Sequence, residues 1–301
     1  MATKLPFNKK ALSSQDLIRK LKDQGLIVQD QILALKYMNY VGHYRLKGYW
    51  YQLQDHETKT FIPGTTFKEI IDRYEMDREI RAIIFESVER LEVAVRTIIC
   101  NHLSLKYSPH WYLRSDIFAN RRNSRIEDIW LKIKEEVDRS YKHKKEFIVS
   151  YYRKYDQPCL PPSWAMSECV SFGIWSKIFS LLCDPADKKS ISSKFGIRNT
   201  DVFESWLHTL SVLRNMAAHH DRILENRLGV GPKNYEFGKI SFSDNKSVYA
   251  ALTMTHVLLK SIWRNGGLNE RMTNLENTYG SDLFCKLGFP KNWRISSAGW
   301  G

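Results

Sequence analysis

Between Gly64 and Pro109 the chain carries neither glycine nor proline. A stretch of that length without a breaker leaves few folds open, because it must be long helix or very long strand. Its apolar residues decide the matter. Phe67, Ile70, Ile71, Tyr74, Ile80, Ile84, Val88, Leu91, Val95, Ile98 and Ile99 recur every three or four positions, the period of one face of an α-helix. Thr66 followed by Glu69 forms a capping box at the entry. The expectation is one long helix, or two in series, with Arg78, Arg81, Arg90 and Arg96 on its other faces.

The same reading continues along the chain. A second long helix is expected from Ser124, capped towards Glu127, with Ile126, Ile129, Trp130, Ile133 and Val137 facing inward. The basic run Lys142-His143-Lys144-Lys145 lies further along that helix, as a solvated face or as an RNA contact. The segment Cys159–Trp164 (CLPPSW) stops it and starts the next helix, since proline suits a helix entry. Another helix ends near Asp184-Pro185, Gly196 suits a C-cap, and a new helix opens around Asp201. Gly229, Gly231, Pro232 and Gly238 mark residues 229–245 as a loop, followed by a helix over about 247–264 and a short tail. Strand-like alternation is scarce and no repeat is visible, so the fold class is all-α. The expected organisation is an N-terminal helical, aromatic and basic region (1–63), a helical core (64–266) and a C-terminal tail (267–301).

Charge narrows the partner. Lys and Arg number 46 against 33 Asp and Glu, a formal +13. Such an excess favours a polyanion, through attraction and through release of condensed counterions. The plainer account is a charged surface that keeps the protein in solution. No basic amphipathic segment stands apart from helices that read as core, so no membrane partner is expected. The five cysteines contain no CxxC pair and indicate neither a metal site nor a disulfide framework. The start, MATKLPFNKK, lacks the apolar run of a signal peptide, and the apolar stretch Cys169–Cys183 is too short to span a bilayer. A cytoplasmic, reduced protein is expected.

The chemistry concentrates in SWLHTLSVLRNMAAHHDRILENR, residues 205–227. Trp206, Leu210, Leu213 and Ala217 make a packing stripe, and beside it the expected helix presents Arg214, Asn215, His219, His220, Asp221 and Arg222. Cleaving RNA without a metal needs a base for the ribose 2′-OH, an acid for the departing 5′-oxygen and a cation for the phosphorane. Histidine suits the proton transfers because its unperturbed pKa of roughly 6.5 lies near neutrality. Arginine stays charged and meets phosphate oxygens with a planar fork. Asn215 is placed to orient a phosphate oxygen or the imidazole. Five residues apart on an ideal helix, however, Arg214 and His219 diverge by roughly 140°. One helix alone is a poor catalyst, and two facing helices relieve the problem. As a bare pattern Arg-x4-His is weak, and a histidine pair near a helix end is commonly structural.

RNMAAHHDR (214–222) resembles the RNxxAHHxR signature of the Abi family of abortive-infection proteins, AbiD/AbiF-like, whose core is a HEPN domain. NYVGHYRLKGYWYQL (39–53), LPPSWAMSECVSFGIWSKIF (160–179) and LGFPKNW (287–293) are similar to other blocks of that family, in the same order, and ERLEVAVRTIICNHLS (89–104) also fits. The resemblance covers nearly the whole chain. It implies a HEPN-like helical bundle in which Arg214 and His219 form the catalytic Arg-x4-His pair, with Asn215 as the polar second residue. One departure stands out: Leu224 and Glu225 occupy positions where the family commonly has Trp and Asn, which leaves the contacts beyond the pair in doubt.

Two other constellations compete for a role. Arg96 and His102 make an Arg-x5-His on the long helix, either a second catalytic pair or an Arg–Glu or cap arrangement. Tyr40, Tyr44, Tyr49 and Trp50 interleave with His43, Arg45 and Lys47. That mixture suits stacking and gripping of single-stranded RNA, or else sealing of the N-terminal region onto its core. The candidate RNA contacts are therefore His220, Arg222, Tyr44, Arg45 and Lys47. The functional expectation is a metal-independent endoribonuclease of antiphage abortive infection, with no cofactor and no metal ligand, acting on RNA rather than DNA as a homodimer. The alternatives are a non-catalytic module holding a non-coding RNA or tRNA, and a helical defence scaffold.

Overall fold

The computed structural model describes residues 6, 8, 10–119, 125–263, 267–295 and 300. Among them are thirteen α-helices and no strand, only four isolated β-bridges, so the all-α expectation holds. The chain divides into two compact units, 1–79 and 80–301.

In the first unit α1 (Ser14–Asp23), α2 (Gln31–Tyr40) and α3 (His43–Trp50) precede the start of α4 (Phe67–Lys106). Side chains at the entries fix where the helices begin: Ser13 Oγ accepts from the Asp16 amide and Asp30 Oδ1 from the Leu33 amide, meeting donors that the first turn leaves orphaned. The core is Ile18, Leu21, Leu26, Ala34, Met38, Leu46, Trp50, Phe61, Phe67 and Ile70. Tyr49 is buried with its hydroxyl donating to the buried Asp77 carboxylate at 2.6 Å. Gly42, at φ +88, makes the sharp turn between α2 and α3 in a backbone region L side chains rarely adopt.

The long breaker-free stretch is one helix, α4, running through residue 79 into the second unit. Thr66 Oγ1 accepts from the Glu69 amide at 3.1 Å, the predicted cap. Of the predicted stripe, Tyr74 and Ile98 are half-buried and the rest buried. Of the four arginines on its other faces, Arg78 and Arg90 are exposed and Arg96 is half-buried. Arg81 is buried and its Nη1 reaches the Asp221 carbonyl oxygen at 3.5 Å.

The second unit continues with α5 (Ile126–Lys142), α6 (Glu146–Lys154), α7 (Ser163–Met166), α8 (Phe172–Leu181), α9 (Pro185–Ser193), α10 (Thr200–Ala218), α11 (Val248–Ile262), α12 (Leu268–Tyr279) and α13 (Ser281–Cys285). At its centre α10 packs on α8, α9 and α11. Phe203, Trp206, Leu207, Leu210 and Leu213 are fully buried there with Trp175, Phe179 and Phe195. Trp206 Nε1 donates to the Lys233 carbonyl at 2.9 Å, tying the 229–245 loop to the helix.

Three expectations need correction or restriction. The basic run 142–145 does not ride along a helix: α5 stops at Lys142, and Lys144 takes φ +55 in a tight turn before α6. The supposed short tail holds α12 and α13, whose helix face is thinly apolar in sequence. Phe284 of α13 packs with Phe289, Trp293 and Trp300 in a buried aromatic cluster, so the two aromatic residues of the GFPKNW block are core. The Ser124 cap lies outside the described residues, and α5 begins at Ile126.

Candidate functional site

The helix carrying the Arg/His cluster ends earlier than its polar residues suggest. α10 closes at Ala218, and His219 is its C-cap. His220 takes φ +59, with its amide donating to the Ala217 carbonyl at 3.3 Å, and the Asp221 amide returns to Met216 at 2.9 Å. That pair of bonds is a Schellman turn, normally built on glycine. His219, His220, Asp221 and Arg222 therefore follow the helix instead of lying on it, a correction to the reading of 205–227 as one helical face. Ile223 and Leu224, both buried, anchor the chain immediately afterwards. Glu225 is nearly buried and pairs with Lys286 at 3.7 Å. Leu224 and Glu225 thus act in packing and pairing at the two positions that depart from the resembled pattern.

The two members of the candidate pair have different surroundings. Arg214 points to α4, where its Nε lies 3.8 Å from the Glu92 carboxylate. A small pocket of about 230 Å³ there is lined by Phe85, Glu89, Glu92, Val93, Arg96 and Arg214. Burial pushes the Glu92 carboxyl above its ordinary value, while Arg214 and then Arg96 pull it back. Arg214 is about one-third exposed, at 33%. Sequence reasoning passed over Glu92. Its signal was present, since residues 85, 89, 92 and 96 share one face of α4 by helical spacing.

On another face of α10, Val212 and Asn215 line a groove of about 810 Å³ between α5, α8 and α10 that also takes in His208, Ser211 and Lys233. His219, the C-cap, follows Asn215 by four residues and does not line that groove. Asn215 and His219 are both exposed, and the His219 side chain makes no hydrogen bond or ion pair among the described residues. The contact from Arg214 Nη1 to Asn215 Oδ1, at 3.5 Å, is at the limit of a hydrogen bond. His220 is exposed and Arg222 half-buried.

The alternative pair on α4 is dispersed. Arg96 lies beside Arg214 and contacts Glu168 at 3.5 Å. His102 instead gives Nε2 to the buried Asp187 carboxylate at 2.7 Å, where Lys106 and Tyr107 also donate. In the first unit the aromatic–basic block splits as well. Tyr49 and Trp50 are core, whereas Tyr44 is 91% and Tyr40 86% exposed, with Lys47 exposed and Arg45 half-buried. Among the described residues no group of three or more His, Cys, Asp or Glu is placed to hold a metal ion. No helix there is long and apolar enough to cross a membrane.

A family model described as Abi-like protein matches residues 36–225. The chain belongs to this Abi-like family. The matched span takes in Tyr44, Arg45, Lys47, Arg214, Asn215, His219, His220 and Arg222, and stops before the 229–245 loop. Membership connects this Abi-like protein to abortive-infection defence. No curated protein and no solved structure matches the chain.

Proposed function

We propose that this Abi-like protein is a HEPN-type endoribonuclease that cleaves RNA in abortive infection through Arg214 and His219. The observation that carries the reading is an exposed imidazole, without partners among the described residues, at the end of the helix that also presents Arg214 and Asn215. In the proposed reaction a base removes the 2′-OH proton and the 2′-oxygen attacks the adjacent phosphorus. The 5′-oxygen leaves with a proton from an acid, giving a 2′,3′-cyclic phosphate and a 5′-hydroxyl. His219 supplies proton transfer, Arg214 neutralises the phosphorane, and Asn215 orients the phosphate. Two proton-transfer groups are wanted and α10 offers one His219, so two copies of the chain complete the site across a two-fold axis. The engagement of His102 with Asp187 favours this over a site built from Arg96 and His102 within one chain.

The test is cleavage of total RNA by purified protein in EDTA, beside Arg214→Ala and His219→Ala, with the product ends mapped. Cyclic phosphate and 5′-hydroxyl ends, absent from both variants, are expected. Ends with a 3′-hydroxyl, or full activity in both variants, would refute the reading. In the same preparation, specific activity that is unchanged where ultracentrifugation finds only monomer would refute the two-copy site. A second reading is favoured by the Arg214–Glu92 pair, which ties the arginine to a carboxylate. There the protein holds RNA without cutting it, and RNA binding without cleavage is its signature.

A further inference from the structure

The turn between α5 and α6 carries a basic concavity that the proposed cleavage site does not use. α5 ends in a Schellman turn: the Lys144 amide donates to Tyr141 at 2.9 Å and the Lys145 amide to Ser140 at 3.1 Å, with Lys144 at φ +55. A left-handed backbone costs an L residue about 1–2 kcal/mol, so glycine is the usual occupant and lysine is a departure. The turn folds α6 back so that Lys142, Lys144 and Arg153 surround one cavity of about 550 Å³, with Tyr141 on its wall. None of these three cations has an ion pair among the described residues, and Glu146 is the single acid lining the cavity. Lys145 is committed elsewhere, to the Glu168 carbonyl at 3.2 Å. Tyr141 is 48% exposed and meets Tyr152 edge-on at 5.3 Å, which steadies its ring while leaving it accessible.

We propose that this elbow is a second binding site, for the phosphodiester backbone of single-stranded RNA, with Tyr141 stacking on an unpaired base. Three unpaired cations converging on one cavity match successive phosphates. An aromatic ring beside them distinguishes a single strand, whose base faces are free, from a duplex, whose base faces are covered. An acidic peptide would use the cations and leave Tyr141 without a role. The site requires binding only and stands whether or not Arg214 and His219 cleave.

The test measures affinity for a 2′-O-methyl oligouridine, which the 2′-OH chemistry cannot cut, as a function of salt. The variant is Lys142→Gln with Lys144→Gln and Arg153→Gln. The control is Lys189→Gln with Lys194→Gln and Lys291→Gln, three exposed lysines with the same change in charge. Losing three phosphate contacts should flatten the slope of log affinity against log salt by about 2, from roughly 0.7 per phosphate on a single strand. A fourfold rise in salt then costs the wild type roughly 20-fold more affinity than the elbow variant. Tyr141→Ala should weaken binding of the single strand and leave an RNA duplex unaffected. Equal slopes for elbow and control variants would overturn the site. An equal loss of binding to polyglutamate would overturn its assignment to RNA, as would a Tyr141→Ala variant with unchanged single-strand affinity. Matching thermal melts for the two triple variants show that the comparison is not one of folding.

Discussion

Replacing Leu213, Arg214 and His219 by alanine, one at a time, separates packing from chemistry on α10. Leu213 is fully buried, and removing a buried leucine side chain costs about 2–5 kcal/mol, since the lost transfer energy adds to the cavity left behind. His219 is exposed, and a surface change of that kind stays within about 0.5 kcal/mol. Arg214 lies between them. At 33% exposure and 3.8 Å from Glu92, its ion pair contributes about 0.2–1 kcal/mol. With roughly 2–4 °C per kcal/mol for a domain of this size, the expected losses in Tm are about 1–2 °C for His219→Ala, up to about 4 °C for Arg214→Ala and at least about 4 °C for Leu213→Ala. Thermal melts by circular dichroism give that order, and RNA cleavage at 25 °C gives the other axis. Cleavage should vanish in His219→Ala and Arg214→Ala while surviving in whatever fraction of Leu213→Ala remains folded. A His219→Ala protein that melts with Leu213→Ala would make His219 a structural residue. One that melts with wild type and cuts RNA at the wild-type rate would remove it from the chemistry.

Other outcomes follow from the ionisable groups and the backbone. Because burial raises the Glu92 carboxyl, the folded state prefers it protonated, and stability falls as pH rises from the ordinary value of 4.5 through the raised one. Glu92→Gln should therefore compare better with wild type at pH 7 than at pH 4 in thermal melts; the reverse order would mean the pairs with Arg214 and Arg96 outweigh burial. For Asp187 burial raises the carboxyl, but hydrogen bonds from Lys106, Tyr107 and His102 win and hold it below 3.8. The stability it confers is present above that value and is lost as pH falls through the lowered one. Asp187→Asn should be destabilised at pH 7 with a deficit that shrinks in acid, and a deficit independent of pH would contradict the clamp. At His220, asparagine tolerates φ +59 whereas a β-branched residue does not. His220→Val should fall below His220→Asn by about 1 kcal/mol in urea unfolding, and equal midpoints would refute the strained turn.

Much of the helical content was legible because it is written locally. The α4 stripe, the Thr66 cap and the buried Trp206, Leu210 and Leu213 follow from a 3.6-residue period and from one hydroxyl at a helix entry. What sequence could not supply was contact between distant segments. Nothing near Arg214 in the chain announces Glu92, and nothing near His102 announces Asp187, because each pair is made only when α4 meets α10 or α9. The polar α12 was missed for a related reason. Its few apolar residues, Leu268, Met272 and Leu275, are buried, but the stripe is too narrow to stand out from a tail.

The remaining misreadings share one cause, and it bears on function. Both α5 and α10 stop at Schellman turns whose left-handed position holds Lys144 or His220 where glycine would have signalled the end. Without the glycine, each polar run reads as more helix. Glycine would close either turn at no steric cost, so closing the helix does not explain residues whose backbone is strained by about 1–2 kcal/mol. Each of these residues adds a nitrogenous side chain, exposed to solvent, at the outer end of a helix. In one case the neighbour is His219; in the other it is the cavity of Lys142 and Arg153. Strain kept at a helix end is intelligible where the side chain serves a ligand. At Lys144 and at His220 alike, a side chain that serves RNA in the way proposed would account for a strained stop that the sequence conceals.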